Sequence, residues 1–211
     1  MRHSPNFLMT DPDEVRRLVR ENPWATIVSH VPDRGLVASH YPFLLDEEAS
    51  TGDDIVLVSH VGRPDEQLHE LGTREVLVIV QGPHGYISSS WYAEGDFVPT
   101  WNHVTAHLYG TPEILSDDEN LRVLTHLTDH FEQHVDAPRG LHLDLEKSAR
   151  IAKGTVGIRL RVTRFDARAK LSQNKTPEVV DRIVGELEGD GPYASTGLAR
   201  EMRRLHDPRH P

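Results

Sequence analysis

Short apolar runs separated by turn residues dominate the hydrophobic pattern of this chain. Two of them, Ile55-Val56-Leu57-Val58 and Val76-Leu77-Val78-Ile79-Val80, are continuously apolar, as expected of strands covered on both faces. Further along, Val156, Ile158, Leu160 and Val162 alternate with Thr155, Gly157, Arg159 and Arg161, the period of a strand with one apolar face. Strands are also predicted over 24–29, 35–45 and 54–61, and over 103–113. The first two are joined by the turn Pro32-Asp33-Arg34-Gly35, and the acidic loop 46–53 precedes the third. Helices take the intervals. Asp11-Pro12-Asp13-Glu14 opens one that stops at Asn22-Pro23, and 64–71 forms a short one ending at Gly72. The capping box Ser116-Asp117-Asp118-Glu119 opens a third, running to about Val135 with Leu124, Leu127 and Phe131 as its apolar stripe. Two more are predicted over 143–153 and 177–187. Sequential strands with flanking helices argue for a barrel-centred α+β domain over 1–190, followed by a loose charged tail over 191–211.

Composition narrows the classes. The chain has 211 residues, no Cys, and a formal net charge of −10. Disulfides, thiolate metal sites and a Cys nucleophile are excluded, and a reducing compartment is expected. The acidic balance opposes nonspecific attraction to nucleic acid. Fourteen His make the charge sensitive to pH. The first residues show no apolar leader and no run approaches a membrane span, so a cytoplasmic protein without membrane contact is expected.

Aromatic residues are scarce, yet Tyr86, Trp91, Tyr92, Phe97 and Trp101 crowd into 82–102. Ser88, Ser89, Ser90, Thr100 and Asn102 are interleaved with them, as are the turn formers Gly82, Pro83, Gly95 and Pro99. Flat rings beside hydroxyls and an amide suit a planar, polar-edged ligand; an aromatic interface or minicore fits the composition equally. No GxGxxG, P-loop, GxSxG or HExxH occurs, so a bound phosphate needs side chains and ordinary amides. Ser39-His40 and Ser59-His60-Val61-Gly62-Arg63 are candidates, with Arg63 just ahead of a helix start. His126, His130 and His134 are spaced i, i+4, i+8. Adjacent members share a face that suits a transition metal, but all three are too far apart to share one ion, and no metal is assigned to them. Arg159, Arg161, Arg164, Arg168, Lys170 and Lys175 form the one basic stretch, readable as a solvated face, a phosphate clamp or a nucleic-acid patch. It runs into the polar cluster Lys170-Leu171-Ser172-Gln173-Asn174.

Six segments stand in order along the chain: Ala38-Ser39-His40-Tyr41-Pro42-Phe43, Ser59-His60-Val61-Gly62-Arg63, Gly82-Pro83-His84-Gly85-Tyr86-Ile87-Ser88, Ser90-Trp91-Tyr92, Val98-Pro99-Thr100-Trp101-Asn102 and Lys170-Leu171-Ser172-Gln173-Asn174. Together they resemble the PaiB-like family of FMN-binding split-barrel proteins, often labelled negative transcriptional regulators. The resemblance implies a six-stranded split β-barrel with flanking helices, and a homodimer with FMN in a cleft between subunits. It places Ser39, His40, His60 and Arg63 near the phosphate and ribityl chain. Tyr86, Ser88, Trp91, Tyr92, Trp101 and Asn102 would line the isoalloxazine ring, and Lys170, Ser172, Gln173 and Asn174 would close the site. The family usually carries Asn where Asp65 stands, Pro at Ser89 and Tyr at His103, departures that bear on cofactor choice. The implied role is flavin-linked redox or transcriptional regulation, leaving open whether the protein is an FMN-dependent oxidoreductase. Two alternatives stand beside it. One is a haem-binding or haem-degrading split-barrel protein with His40, His60, His103 or His107 as axial ligand. The other is a DNA-binding repressor, for which no recognition helix is visible.

Overall fold

The computed structural model describes residues 4–92, 94–95 and 98–207. In chain order its elements are β1 (Leu8–Met9), α1 (Pro12–Glu21), β2 (Trp24–Val31), β3 (Gly35–Pro42), β4 (Leu44–Leu45), β5 (Val56–Gly62), α2 (Arg63–Leu68), β6 (Val76–Ile87) and β7 (Thr100–Gly110). They continue as β8 (Glu113–Ile114), α3 (Asp117–Glu132), α4 (Leu145–Ala152), β9 (Thr155–Arg161), β10 (Arg164–Lys170), α5 (Pro177–Glu188) and α6 (Thr196–His206). The class is α+β with antiparallel sheets. Helix starts fall where side chains meet the unpaired first-turn amides. The Asp11 carboxylate accepts from the Asp13 amide at 2.9 Å, and Ser116 and Glu119 cap each other reciprocally.

Contacts divide the chain into two compact units. One holds residues 11–80 and 107–165. In it a four-stranded sheet runs β4-β5-β9-β8, with His60 opposite Gly157, and β2 pairs with both β3 and the first half of β6. Ile55, Val56, Leu57 and Val58 are all buried, as a strand covered on both faces requires. The second apolar run behaves differently: Val76, Val78 and Val80 are buried while Leu77 and Ile79 are half-buried, so only one face is fully covered. Helix α3 lies so close to β9 that a Cβ on Gly157 would stand 2.9 Å from the Asn120 Cα. The predicted stripe of α3 is partly corrected, since Leu124 and Leu127 are buried but Phe131 is exposed.

The other unit holds residues 1–10, 81–106 and 166–211. Its strands neighbour one another in the order β1-β10-β7-β6, with Leu8 opposite Arg168. Strand β10 has no counterpart among the predicted elements. Its alternation is present, Phe165, Ala167, Ala169 and Leu171 against Arg164, Asp166, Arg168 and Lys170, but half the apolar set is alanine and the charges mask it. The aromatic window is also more ordered than a loop: β6 extends to Ile87, a 3-10 turn covers Ser89–Trp91, and β7 begins at Thr100. Ala93, Asp96 and Phe97 lie outside the described residues. Residues 191–211, expected as a loose tail, carry α6, whose Leu198, Ala199 and Met202 are fully buried. Spacing at i, i+1, i+4 makes an apolar stripe that the surrounding arginines obscure. Helix α6 meets the odd-numbered side of β6, where a Cβ on Gly85 would stand 3.1 Å from Leu198.

Candidate functional site

In the first unit, strand alternation puts Ser39 and Tyr41 on one side of β3 and His40 on the other. Helix α2 begins immediately after β5 and presents Asp65 to Ser39 and Tyr41. The Ser39 hydroxyl donates to Asp65 Oδ2 at 2.8 Å and the Tyr41 phenol donates to the same oxygen at 2.6 Å. His69 Nε2 lies 3.0 Å from Ser39 Oγ and its Nδ1 lies 2.8 Å from Ser29 Oγ. Because Ser39 gives its proton to Asp65, its oxygen accepts from His69 Nε2–H, and Nδ1 accepts from Ser29. The Gly62 amide donates to the Tyr41 oxygen at 3.2 Å and closes the chain of bonds. His69 is completely buried, and burial holds its pKa below the ordinary histidine value against the pull of Asp65. Donation by Tyr41 is the main reason the Asp65 carboxyl sits below the usual carboxylate range, with Ser39 and His69 assisting. Burial, then the bond to Asp65, pushes the Tyr41 phenol up.

The other candidates in this unit are dispersed. His40 stacks on the exposed Trp24, with ring centroids 6.5 Å apart, and its Nδ1 lies 3.0 Å from Thr26 Oγ1. His60 lies edge-on to Tyr41 at 6.4 Å, and burial lowers its pKa. Its Nδ1 is buried with no partner among the described residues. Arg63 donates from Nε to the Lys153 carbonyl at 2.6 Å and pairs with Asp117 at 3.7 Å. Ser39 thus bonds Asp65 directly and His60 sits beside Tyr41, whereas Arg63 serves the ends of α3 and α4.

In the second unit, alternation along three neighbouring strands sets His84 and Tyr86 of β6, Trp101 and His103 of β7, and Arg168 and Lys170 of β10 on one face. Trp101, more than half exposed, lies 5.9 Å from His84 and 6.4 Å from Tyr86, and Tyr86 lies 4.8 Å from Tyr193. Lys170 Nζ donates to Thr100 Oγ1 and, at 2.9 Å, to the Trp101 carbonyl. Burial holds its pKa below the ordinary lysine value. His103 is held below the histidine value by burial, then by the nearby charges of Lys170, His84 and Arg168. Arg168 is 3% exposed; its Nη1 donates to the Ala167 carbonyl at 3.0 Å and pairs with Asp166. Its Nε and Nη2 are buried with no partner among the described residues.

Asn102 points to the opposite, inner side. Its Nδ2 donates to Ser172 Oγ at 2.9 Å and reaches Met202 Sδ at 3.5 Å, while Oδ1 is buried without a partner among the described residues. Ser172, at φ 65°, turns the chain after β10, and Gln173 stabilises that turn by accepting from the Leu171 amide at 2.7 Å and donating to the Ala169 carbonyl. Asn174 is exposed. Ser88 caps the 3-10 turn, Trp91 is half-buried in it, and Tyr92 is buried beneath the Lys175 ammonium at 4.1 Å. The structure therefore unites Tyr86, Trp101 and Lys170 on a face that also holds His84, His103 and Arg168. Asn102, Ser172 and Gln173 support it from within.

The rest of the basic stretch is largely neutralised: Arg159 meets Asp46, Glu113 and Glu119, Arg161 meets Asp54, and Arg164 meets Glu75. A groove of about 820 Å³ follows the exposed side of α3, lined by that helix alone, and none of the candidate residues above except His126 and His130 borders it. Among the described residues no three His, Asp or Glu side chains are grouped to hold a metal, and no helix is long and apolar enough to cross a membrane.

The protein family described as "Putative FMN-binding domain" matches residues 1–164. The chain belongs to that family. It is 31% identical over 194 residues to "Protease synthase and sporulation protein PAI 2" of Bacillus subtilis, covering 87% of each chain. An uncharacterised yeast protein, YKL070W, is 36% identical over 109 residues, covering 48% of this chain and 63% of its own. Among solved structures, an FAD and heme binding protein from Mycobacterium smegmatis superposes with a TM-score of 0.57 at 23% identity, covering 77% of this chain and 72% of its own. The flavocytochrome Anf3 from Azotobacter vinelandii does so with 0.55 at 12% identity, covering 76% and 68%. These two share the fold.

Proposed function

We propose that this protein is a PaiB-like split-barrel homodimer that holds FMN, as a redox cofactor, in a cleft between subunits. The observation that carries the reading is the edge-to-face pair of Trp101 and Tyr86, ring planes 68° apart, set on one face with the cationic side chains of Lys170 and Arg168 and with His103 and His84. The residues fit the group: two nitrogens of the buried Arg168 guanidinium lack partners among the described residues. Trp101 and Tyr86 would pack against the ring, and Asn102 and Ser172 would fix the floor beneath it. Bound flavin would supply electron transfer, while the protein binds, orients and sets the surrounding charge. Membership of the FMN-binding family supports the cofactor, and the exposed Trp24 and Leu36 at the β2–β3 edge support a second copy as cover. A cytoplasmic setting agrees with the absence of Cys. Direct DNA contact is disfavoured by the net charge of −10 and by the acid-paired arginines 159, 161 and 164.

The test is an absorbance spectrum after incubation with FMN or haem and desalting, with light scattering for mass. Retained flavin bands on a dimer are expected. A Soret band with no flavin retained would replace this reading with the haem one, and a monomer would remove the intersubunit cleft.

A further inference from the structure

The segments around Ser39 and Arg63, where a resemblance-based reading seats the phosphate, carry the wrong charge for it. Ser39 already donates to the Asp65 carboxylate, and the guanidinium of Arg63 is turned to the Lys153 carbonyl and Asp117. An added dianion there would face a carboxylate that cannot donate. The β6–β7–β10 face has the opposite character. Among its strand residues 81–87, 100–106 and 166–170, Arg168, Lys170, His84 and His103 are basic and Asp166 is the sole acid. Asp166 is engaged with Arg168 Nη1.

A guanidinium that is 3% exposed with Nε and Nη2 unmatched among the described residues is a costly arrangement, because buried N–H groups and charges require partners. Those two nitrogens form the side of the guanidinium that grips two oxygens of one anion. Lys170 stands two residues away on the same side of the strand, about 7 Å along it. Its ammonium reaches the carbonyl of Trp101, two residues before His103 on the same strand. We propose that this face, with Arg168 and Lys170 as charged ligands and His84 and His103 beside them, seats a phosphate monoester. On the flavin reading, it is the terminal phosphate of FMN. A monoester carries a charge of about −1.5 to −2 at neutral pH, opposite in sign to Arg168 and Lys170. Burial depresses His103 first and repulsion from Lys170, His84 and Arg168 second, and such a dianion relieves the repulsion. Arg168 and Lys170 lie beyond the family match at 1–164, so that match does not assign them. The identity of the ligand rests on the flavin reading; the anion site rests on the residues.

Two arms keep those apart. In the first, the imidazole signal of His103 is titrated by NMR with and without inorganic phosphate. Its pKa is expected to rise with phosphate, and the rise is expected to vanish in Lys170→Gln. In the second, dissociation constants of FMN and riboflavin are compared. FMN is expected to bind roughly tenfold or more tightly, a preference lost in Lys170→Gln with riboflavin affinity unchanged, as for removal of a charge-assisted bond. A phosphate-insensitive His103, or an FMN-to-riboflavin ratio unmoved by Lys170→Gln, would overturn the site. A phosphate-dependent His103 with neither flavin bound would retain the anion site and remove the flavin reading. Equal binding of both flavins without histidine shifts would do the reverse. Arg168→Gln is measured alongside with far-UV circular dichroism, and Lys170→Gln, at a half-buried position, decides the outcome should it not fold.

Discussion

At residue scale, Asp65 shows how one carboxylate sets its neighbours. Two hydroxyls donate to Oδ2, and His69 is oriented through one of them. Replacing it by the amide of Asp65→Asn removes the charge that, after burial, holds the Tyr41 phenol up. The Tyr41 pKa is therefore expected to fall toward the ordinary tyrosine value, read by ultraviolet titration of phenolate. An unmoved or higher value would mean that the bond to Asp65 is not made. His69 itself had no signal in the chain, because its partners Ser29 and Ser39 are 40 and 30 residues away and lie on two different strands. Arg168 was visible only as one member of a basic stretch; what distinguishes it is burial, which spacing does not convey.

Elements were more legible than the site, and for a physical reason. Caps and turns are local: Asp11, Pro12, Ser116 and Glu119 announce helix starts within four residues, and the structure places α1 and α3 there. Strand β10 and helix α6 were not announced, since each hides a small-residue apolar side among charges. Tyr86, Trp101, Asn102 and Lys170 stood out by composition, but that three of them share an outer face and Asn102 lies beneath depends on strand register. Close approach of elements is likewise invisible until they pack. Gly157→Ala would set a methyl against the backbone of α3, and a loss of about 1–3 kcal/mol in denaturant unfolding is expected. Gly185→Ala, on the exposed side of α5 with open space at the added Cβ, is the contrasting case. It is expected to stabilise by about 0.4–1 kcal/mol, because alanine loses less backbone freedom in a helix. Equal effects at the two glycines would contradict the packing of α3 on β9.

For the molecule as a whole, the buried histidines and paired carboxylates predict how stability responds to acid. His60, His69 and His103 all have folded pKa values depressed chiefly by burial. Below the ordinary histidine value of about 6.5 the unfolded chain then binds more protons than the native one. Unfolding free energy must fall as pH drops through that window. Glu47 and Asp65 are depressed by their hydrogen-bond partners Arg20 and Tyr41, so their contribution is present above the carboxylate range and lost as pH falls through it. Acid should therefore weaken the protein in two stages, the upper from histidines and the lower from carboxylates. Urea titrations at closely spaced pH values resolve them. His69→Gln is expected to shrink the upper stage and leave the lower, while saturating phosphate should shrink it too by making a protonated His103 favourable in the fold. A single decline confined to the carboxylate range would mean that the buried imidazoles take up protons as readily in the fold as in the unfolded chain, which their burial forbids.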